Sequence, residues 1–99
     1  MTDYVRQITK GVAGTVPEYL RNVLWYMFEI SEDAKKDGLH AFFLEDGGLD
    51  GRVKQKITHI LARPSSRQEY LVTVNKTVWA KIYVKSFCGC STMFLEEEL

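Results

Sequence analysis

The residues of this chain with types suited to chemistry are two histidines, two cysteines and one isolated carboxylate. His59 can act as a general base only beside an oriented nucleophile or carboxylate. Glu69 is the only acid in residues 51–85, so a His59–Glu69 pair across neighbouring strands defines a candidate small-ligand or enzyme site. His59 alternates with Val53, Ile57 and Leu61, and a histidine on such an apolar face is commonly a core residue satisfied by one hydrogen bond. Cys88 and Cys90, with His40 and His59, offer a Cys2His2 set. Structural zinc sites space their cysteines by about two to four residues and their histidines by about three to five. Here the cysteines are separated by one residue and the histidines are nineteen apart, so no metal is expected. Thiol redox chemistry uses C-x-x-C at a helix start, and this pair falls in an expected hairpin bend. No Gly-rich phosphate loop, H-E-x-x-H or G-x-S-x-G is present. The expectation is a protein that is not an enzyme and needs no cofactor.

Charge offers a different chemistry. Thirteen Lys and Arg balance thirteen Asp and Glu, which gives no whole-molecule attraction to nucleic acid or to a membrane surface. The distribution is uneven: residues 29–50 carry a net −5, residues 51–85 a net +7, the tail Glu96–Glu98 −3 and residues 1–28 +1. Arg52, Lys54 and Lys56 alternate, so on a strand they share a face. With Arg63 and Arg67 they can track a phosphate backbone or an acidic protein surface. The same pattern also serves an edge strand protected by lysines against aggregation. Lys81-Ile82-Tyr83-Val84-Lys85-Ser86-Phe87 resembles the first RNA-binding string of an RRM domain. That string belongs on a first strand with a partner string two strands later, and only twelve residues follow here. It is read as an ordinary strand.

These residues must be positioned by one domain, since 99 residues leave no room for a second. Tyr4–Thr9 suits a short strand, and Gly11 and Gly14 bracket a loop. Thr15-Val16-Pro17-Glu18 fits a capping box with proline in the first turn. Leu20, Val23, Leu24, Met27 and Ile30 follow at helical spacing. A helix is expected from Val16 to Asp37, with Lys35 and Lys36 near its end and Gly38 as its C′ residue. Trp25 and Phe28 widen its apolar stripe, which can pack on a sheet or, with Tyr26, reach a partner. His40–Leu44 reads as a strand, Glu45–Gly51 as a turn with two Asp-Gly steps, and Arg52–Ala62 as an alternating strand. Pro64-Ser65-Ser66 breaks it. Glu69–Val74 and Val78–Phe87 are further strands, with Ser91–Glu96 a last one across the Cys88-Gly89-Cys90 bend. The expected class is α+β: a single helix on a mostly antiparallel sheet, in the order β-α-β-β-β-β.

Several strings, in order along nearly the whole chain, resemble a small Firmicute family catalogued as domain of unknown function 960. Ile8-Thr9-Lys10-Gly11-Val12, Val16-Pro17 and Leu24-Trp25 resemble its opening. Gln55-x-Ile57-x-His59, Pro64 and Glu69-Tyr70 resemble its middle, and Lys81–Val84, Ser91-Thr92-Met93 and Glu97-Glu98 its close. Leu61-Ala62 and Phe87–Cys90 depart from the polar residues the family pattern has there. The resemblance implies a small cytoplasmic protein of Firmicutes, phages or other mobile elements. It implies no activity.

The leading functional expectation is a non-enzymatic protein-binding module, one concrete form being an inhibitor or modulator of a host defence protein. Trp25, Tyr26, Phe28, Arg52, Lys54 and Lys56 are its candidate contacts, because a few aromatic and arginine anchors dominate an interface. The alternative is a nucleic-acid-binding module using Arg52, Lys54, Lys56, Arg63 and Arg67. The second alternative is the His59/Glu69 site. A homodimer is compatible with all three, through a free sheet edge or the Trp25/Phe28 stripe. No stretch is long and apolar enough for a membrane span, and no secretory signal opens the chain; the expected location is the cytoplasm.

Overall fold

A computed structural model describes residues 5–30, 38–48, 53–62, 65–87 and 89–98. The chain forms β1 (Val5–Ile8), α1 (Lys10–Thr15), α2 (Glu18–Ile30), β2 (Gly38–Asp46), β3 (Lys54–Ala62), β4 (Ser65–Thr73), β5 (Ala80–Phe87) and β6 (Cys90–Leu95), then a 3-10 turn, Glu96–Glu98. This is a small α+β domain with one six-stranded sheet, in the spatial order β1-β6-β5-β2-β3-β4.

The sheet corrects two expectations. It is mixed, not mostly antiparallel: β1 runs parallel to β6, while the other neighbours pair antiparallel. Five strands follow the helices, matching the five segments read singly from the sequence and one more than the order β-α-β-β-β-β counts; the turn at Gly89, with φ 79, separates β5 from β6. The hairpin expected at the first Asp-Gly step is present. Gly47 donates its N–H to the Lys54 carbonyl at 3.0 Å, and Asp46 Oδ1 accepts from the Gly48 N–H at 2.9 Å. The second Asp-Gly step lies outside the described residues.

The helical region also begins differently. Thr9, not Thr15, is the N-cap: its side chain accepts the Val12 N–H, and α1 runs through Gly11 and Gly14. Thr15 is thereby absorbed into α1 and cannot cap the next helix. Val16 is extended, with φ −112 and ψ 118, as steric clash with a following proline requires. Pro17 has no N–H to continue α1, and its carbonyl accepts from Leu20 and Arg21 at 3.1 and 3.0 Å to start α2. The helix expected from Val16 is thus present as α2, and α1 is an added short helix in the stretch expected as a loop around Gly11 and Gly14. Residues 31–37, including Lys35, Lys36 and Asp37, lie outside the described residues, and Gly38 opens β2. Glu98 ties the two ends of the chain together. Its Oε1 accepts from Thr9 Oγ1 at 2.6 Å and from the Leu95 N–H at 2.8 Å. The Thr9 hydrogen bond first, then that of Leu95, holds the Glu98 carboxyl below its ordinary pKa.

Helices and sheet meet in one core. Val12, Val16, Leu20, Leu24, Trp25, Met27 and Phe28 pack against Phe42, Leu44, Ile57, Ile82, Val84, Met93 and Leu95. The strand residues of this set alternate in sequence, so they lie on one face of the sheet. The other face carries the intervening residues, and among the described residues no helix covers it.

Candidate functional site

The core face holds the histidines. His40 and His59 sit in β2 and β3, both buried, where Phe42 is the residue directly opposite His59. His40 Nδ1 and His59 Nε2 are 2.9 Å apart, and the rings stack with centroids 5.1 Å apart. Phe42 stacks on His59 at 4.4 Å, and Phe28 meets His40 edge-on at 4.6 Å. Burial first, and the neighbouring His40 second, lower the His59 pKa from 6.5 to about 4. Glu69 pairs in register with Thr58, so its side chain leaves the opposite face. The His59–Glu69 site is therefore not assembled. Cys90 alternates with the buried Ser91, Met93 and Leu95 and also leaves the face opposite the histidines. Cys88 lies outside the described residues. Among the described residues no three of His, Cys, Asp and Glu converge as metal ligands.

The helical aromatics divide. Trp25 is 6% and Phe28 4% exposed. They pack edge to face at 5.9 Å, and Arg6, paired with Glu29, lies over the Trp25 ring. Both are core residues, as a wide stripe against a sheet allows. Of the three expected helix contacts, Tyr26, at 63% exposure, is the one that points to solvent.

The uncovered sheet face gathers the basic residues. Lys54 and Lys56 project from β3 and Arg67 from β4. Lys54 donates to Thr73 Oγ1 at 2.6 Å. Glu69 stands between Lys56 at 3.7 Å and Arg67 at 3.2 Å. Arg52 and Arg63 lie outside the described residues. Sequence reasoning missed what shares this face. Phe43 in β2, Lys81, Tyr83 and Lys85 in β5 and Phe94 in β6 belong to it by alternation. Tyr83 and Phe94 are cross-strand partners and stack at 5.9 Å. The Lys81 ammonium stands 5.7 Å from the Phe43 ring centre and 3.8 Å from Glu96. Among the described residues, five cations, Lys54, Lys56, Arg67, Lys81 and Lys85, stand across this face with three carboxylates, Glu45, Glu69 and, against Lys81, Glu96. The signal was the spacing Lys81-x-Tyr83-x-Lys85, which places an aromatic ring between two lysines on any strand.

One end of this face is shaped. The chain between β4 and β5 passes the end of β3, where the buried Gln55 holds it. Gln55 Nε2 donates to the Val78 carbonyl at 3.0 Å and its Oε1 accepts the Val78 N–H at 2.8 Å. The amide substitutes for a strand neighbour and fixes the backbone just before Trp79, which is 67% exposed. Trp79, Phe43, Leu44, Glu45, Ala80 and Lys81 line a depression of about 310 Å³. A second depression, of about 480 Å³, lies among Asp46, Gly47, Gly48, Lys56, Glu69 and Leu71. A Cβ at Gly47 would come within 2.6 Å of Leu71 and 2.9 Å of Lys56, so glycine allows these side chains to close over the turn.

Thr58, on the same face between Phe43 and Glu69, has a buried Oγ1 with no hydrogen-bond partner among the described residues. An unpaired buried hydroxyl costs about 1–3 kcal/mol, whereas an apolar group of the same shape does not. Thr58→Val is expected to raise stability by about 1 kcal/mol, read as a higher urea midpoint at unchanged slope. A lower midpoint would show that the hydroxyl is bonded.

No family model matches the chain, and no curated protein matches it. A crystal structure of a protein of unknown function from Enterococcus faecalis is similar, with a TM-score of 0.70 at 17% identity over 100% of this chain and 93% of that chain. The likeness shows a shared fold. Among the described residues no helix is long and apolar enough to cross a membrane.

Proposed function

We propose that this protein is a non-enzymatic binding module whose recognition surface is the uncovered sheet face, and that its ligand is single-stranded nucleic acid. The observation that carries this reading is the set of rings Phe43, Tyr83 and Phe94 lying among five cations on one face. Unpaired bases stack on aromatic side chains without regard to sequence, while lysines follow the backbone. Of the residues expected to meet nucleic acid, Lys54, Lys56 and Arg67 share this face.

The test is fluorescence anisotropy of labelled decathymidylate. Each neutralised phosphate of a single strand contributes about −0.7 to the log–log salt slope. Five contacts therefore weaken binding on the order of 100-fold between about 50 and 200 mM salt. Tyr83→Ala is expected to weaken it about 10-fold. Absence of binding at low salt, or a flat salt response, rejects the reading.

A protein partner is a second reading, favoured by one observation. Tyr19, Tyr26 and Ile30 are exposed on α2, and their spacing of seven and four residues places them on one stripe. The resemblance to the Firmicute and phage family supplies the context, a host protein inhibited or modulated by contact. A stoichiometric band that survives nuclease in a pull-down and is lost with Tyr26→Ala supports this reading. A band indifferent to Tyr26→Ala counts against it.

A further inference from the structure

The depression beside Trp79 differs from the rest of the face. It has an exposed indole on one side, the Phe43 ring and the Lys81 stem on the other, and one carboxylate, Glu45, in its lining. The Gln55–Val78 hydrogen bonds anchor the backbone immediately before Trp79, which fixes where the indole leaves the chain. Glu45 is the feature that selects. A carboxylate only accepts hydrogen bonds, so it favours a base edge presenting donors. Guanine offers two adjacent donors, N1–H and the N2 amino group, which match the two oxygens. Thymine and uracil offer a single N3–H between two carbonyls, and those carbonyls face the carboxylate unfavourably. Lys81 supplies positive charge at the rim.

We propose that this depression seats one unpaired guanine of a bound strand, stacked on Trp79, with Glu45 accepting from N1–H and N2–H and Lys81 meeting the adjoining phosphate. The proposal rests on the single-strand reading above and adds a subsite and a base preference to it. A free guanine nucleotide presents the same base edge. It lacks the neighbouring phosphates that would reach Lys54, Lys56 and Lys85.

The experiment titrates the full-length protein with decathymidylate, with the same oligonucleotide carrying one central guanine, and with GMP. Anisotropy of labelled DNA and tryptophan emission are both followed. Trp25 is buried and serves as the unquenched reference. The expected results are tighter binding of the guanine-containing strand by about 10-fold, quenching that is absent in Trp79→Phe, and loss of about 10-fold in affinity with Trp79→Ala. Glu45→Gln is expected to abolish the guanine preference while thymine-strand affinity stays the same or rises. Binding of both strands with equal affinity, or with no effect of Trp79→Ala, overturns the subsite and leaves the single-strand reading standing. Quenching by GMP at the concentrations that suffice for the oligonucleotide overturns the assignment to a strand. No binding of any probe overturns both.

Discussion

Phe42→Ala is expected to lower unfolding stability by about 3–5 kcal/mol, with the loss at the upper end of that range. Phe42 is fully buried in β2, which has β5 on one side and β3 on the other. Its cross-strand neighbours are Ile82 and His59, and its ring stacks on the His59 imidazole at 4.4 Å. Removing the ring opens a cavity whose floor is the backbone of three hydrogen-bonded strands. Such a floor cannot collapse inward, and residual cavity volume is what makes large-to-small changes expensive. A domain of this size has a total stability of about 5–15 kcal/mol, so the variant keeps little reserve. Urea denaturation provides the measurement, with the slope unchanged and the midpoint lowered. A loss under about 1 kcal/mol would mean that the helices settle into the space, and that the core is less tightly specified than the packing implies.

Acid is expected to weaken the fold well above the pH at which carboxylates titrate. His59 has a pKa of about 4 in the folded protein, against about 6.5 in an unfolded chain. Between these values the unfolded chain binds a proton that folded His59 refuses. Stability is therefore complete above about pH 6.5, declines as pH falls toward 4, and receives no further loss from this group below that. The gap corresponds to about 3 kcal/mol at most. The cause is geometric: an imidazolium at this position would lose its water between Phe42 and His40, and would face His40 across a 2.9 Å contact. Urea midpoints measured between pH 7.5 and 4.5 should fall in the wild type and fall much less in His59→Gln. Equal slopes in the two proteins would place the acid sensitivity elsewhere. The group to examine next would then be Glu98, whose lowered pKa makes its contribution disappear only at more acid pH.

The two effects share an origin that bears on function. The core face of β2 and β3 is filled by an aromatic–histidine stack, and the strands it fixes present Phe43, Lys54 and Lys56 on the other side. A change that loosens the stack should also disturb the binding face. Conversely, Tyr83 and Trp79 lie outside the core set, so their substitution should weaken binding without lowering stability.

Much of this was legible locally. The alternation through residues 53–61 marked Gln55, Ile57 and His59 as one face, and all three are buried. The spacing of Leu20, Leu24 and Met27 marked the face of α2 that meets the sheet. Period and propensity are properties of neighbouring residues, and they survive folding because a strand always points successive side chains to opposite sides. Cap competition was not legible in the same way. Thr9 and Thr15 are both good N-caps by type, and Thr9 prevails where Val12 fits a fully buried slot and Glu98 returns from the far end of the chain.

What the residues alone determined is therefore the α+β class, the hairpin at Asp46-Gly47 and which side chains share a face. Tertiary structure decided which strands are neighbours. It laid β5 beside β2 and β1 parallel to β6, brought His40 to His59 across nineteen positions, and separated His59 from Glu69. It also gathered Phe43, Tyr83 and Phe94 with cations contributed by three strands. The physical reason is that alternation assigns a residue to a face but says nothing about the partner strand. Partners are chosen by how the whole sheet buries its apolar side under two helices, a condition that no local stretch of sequence contains.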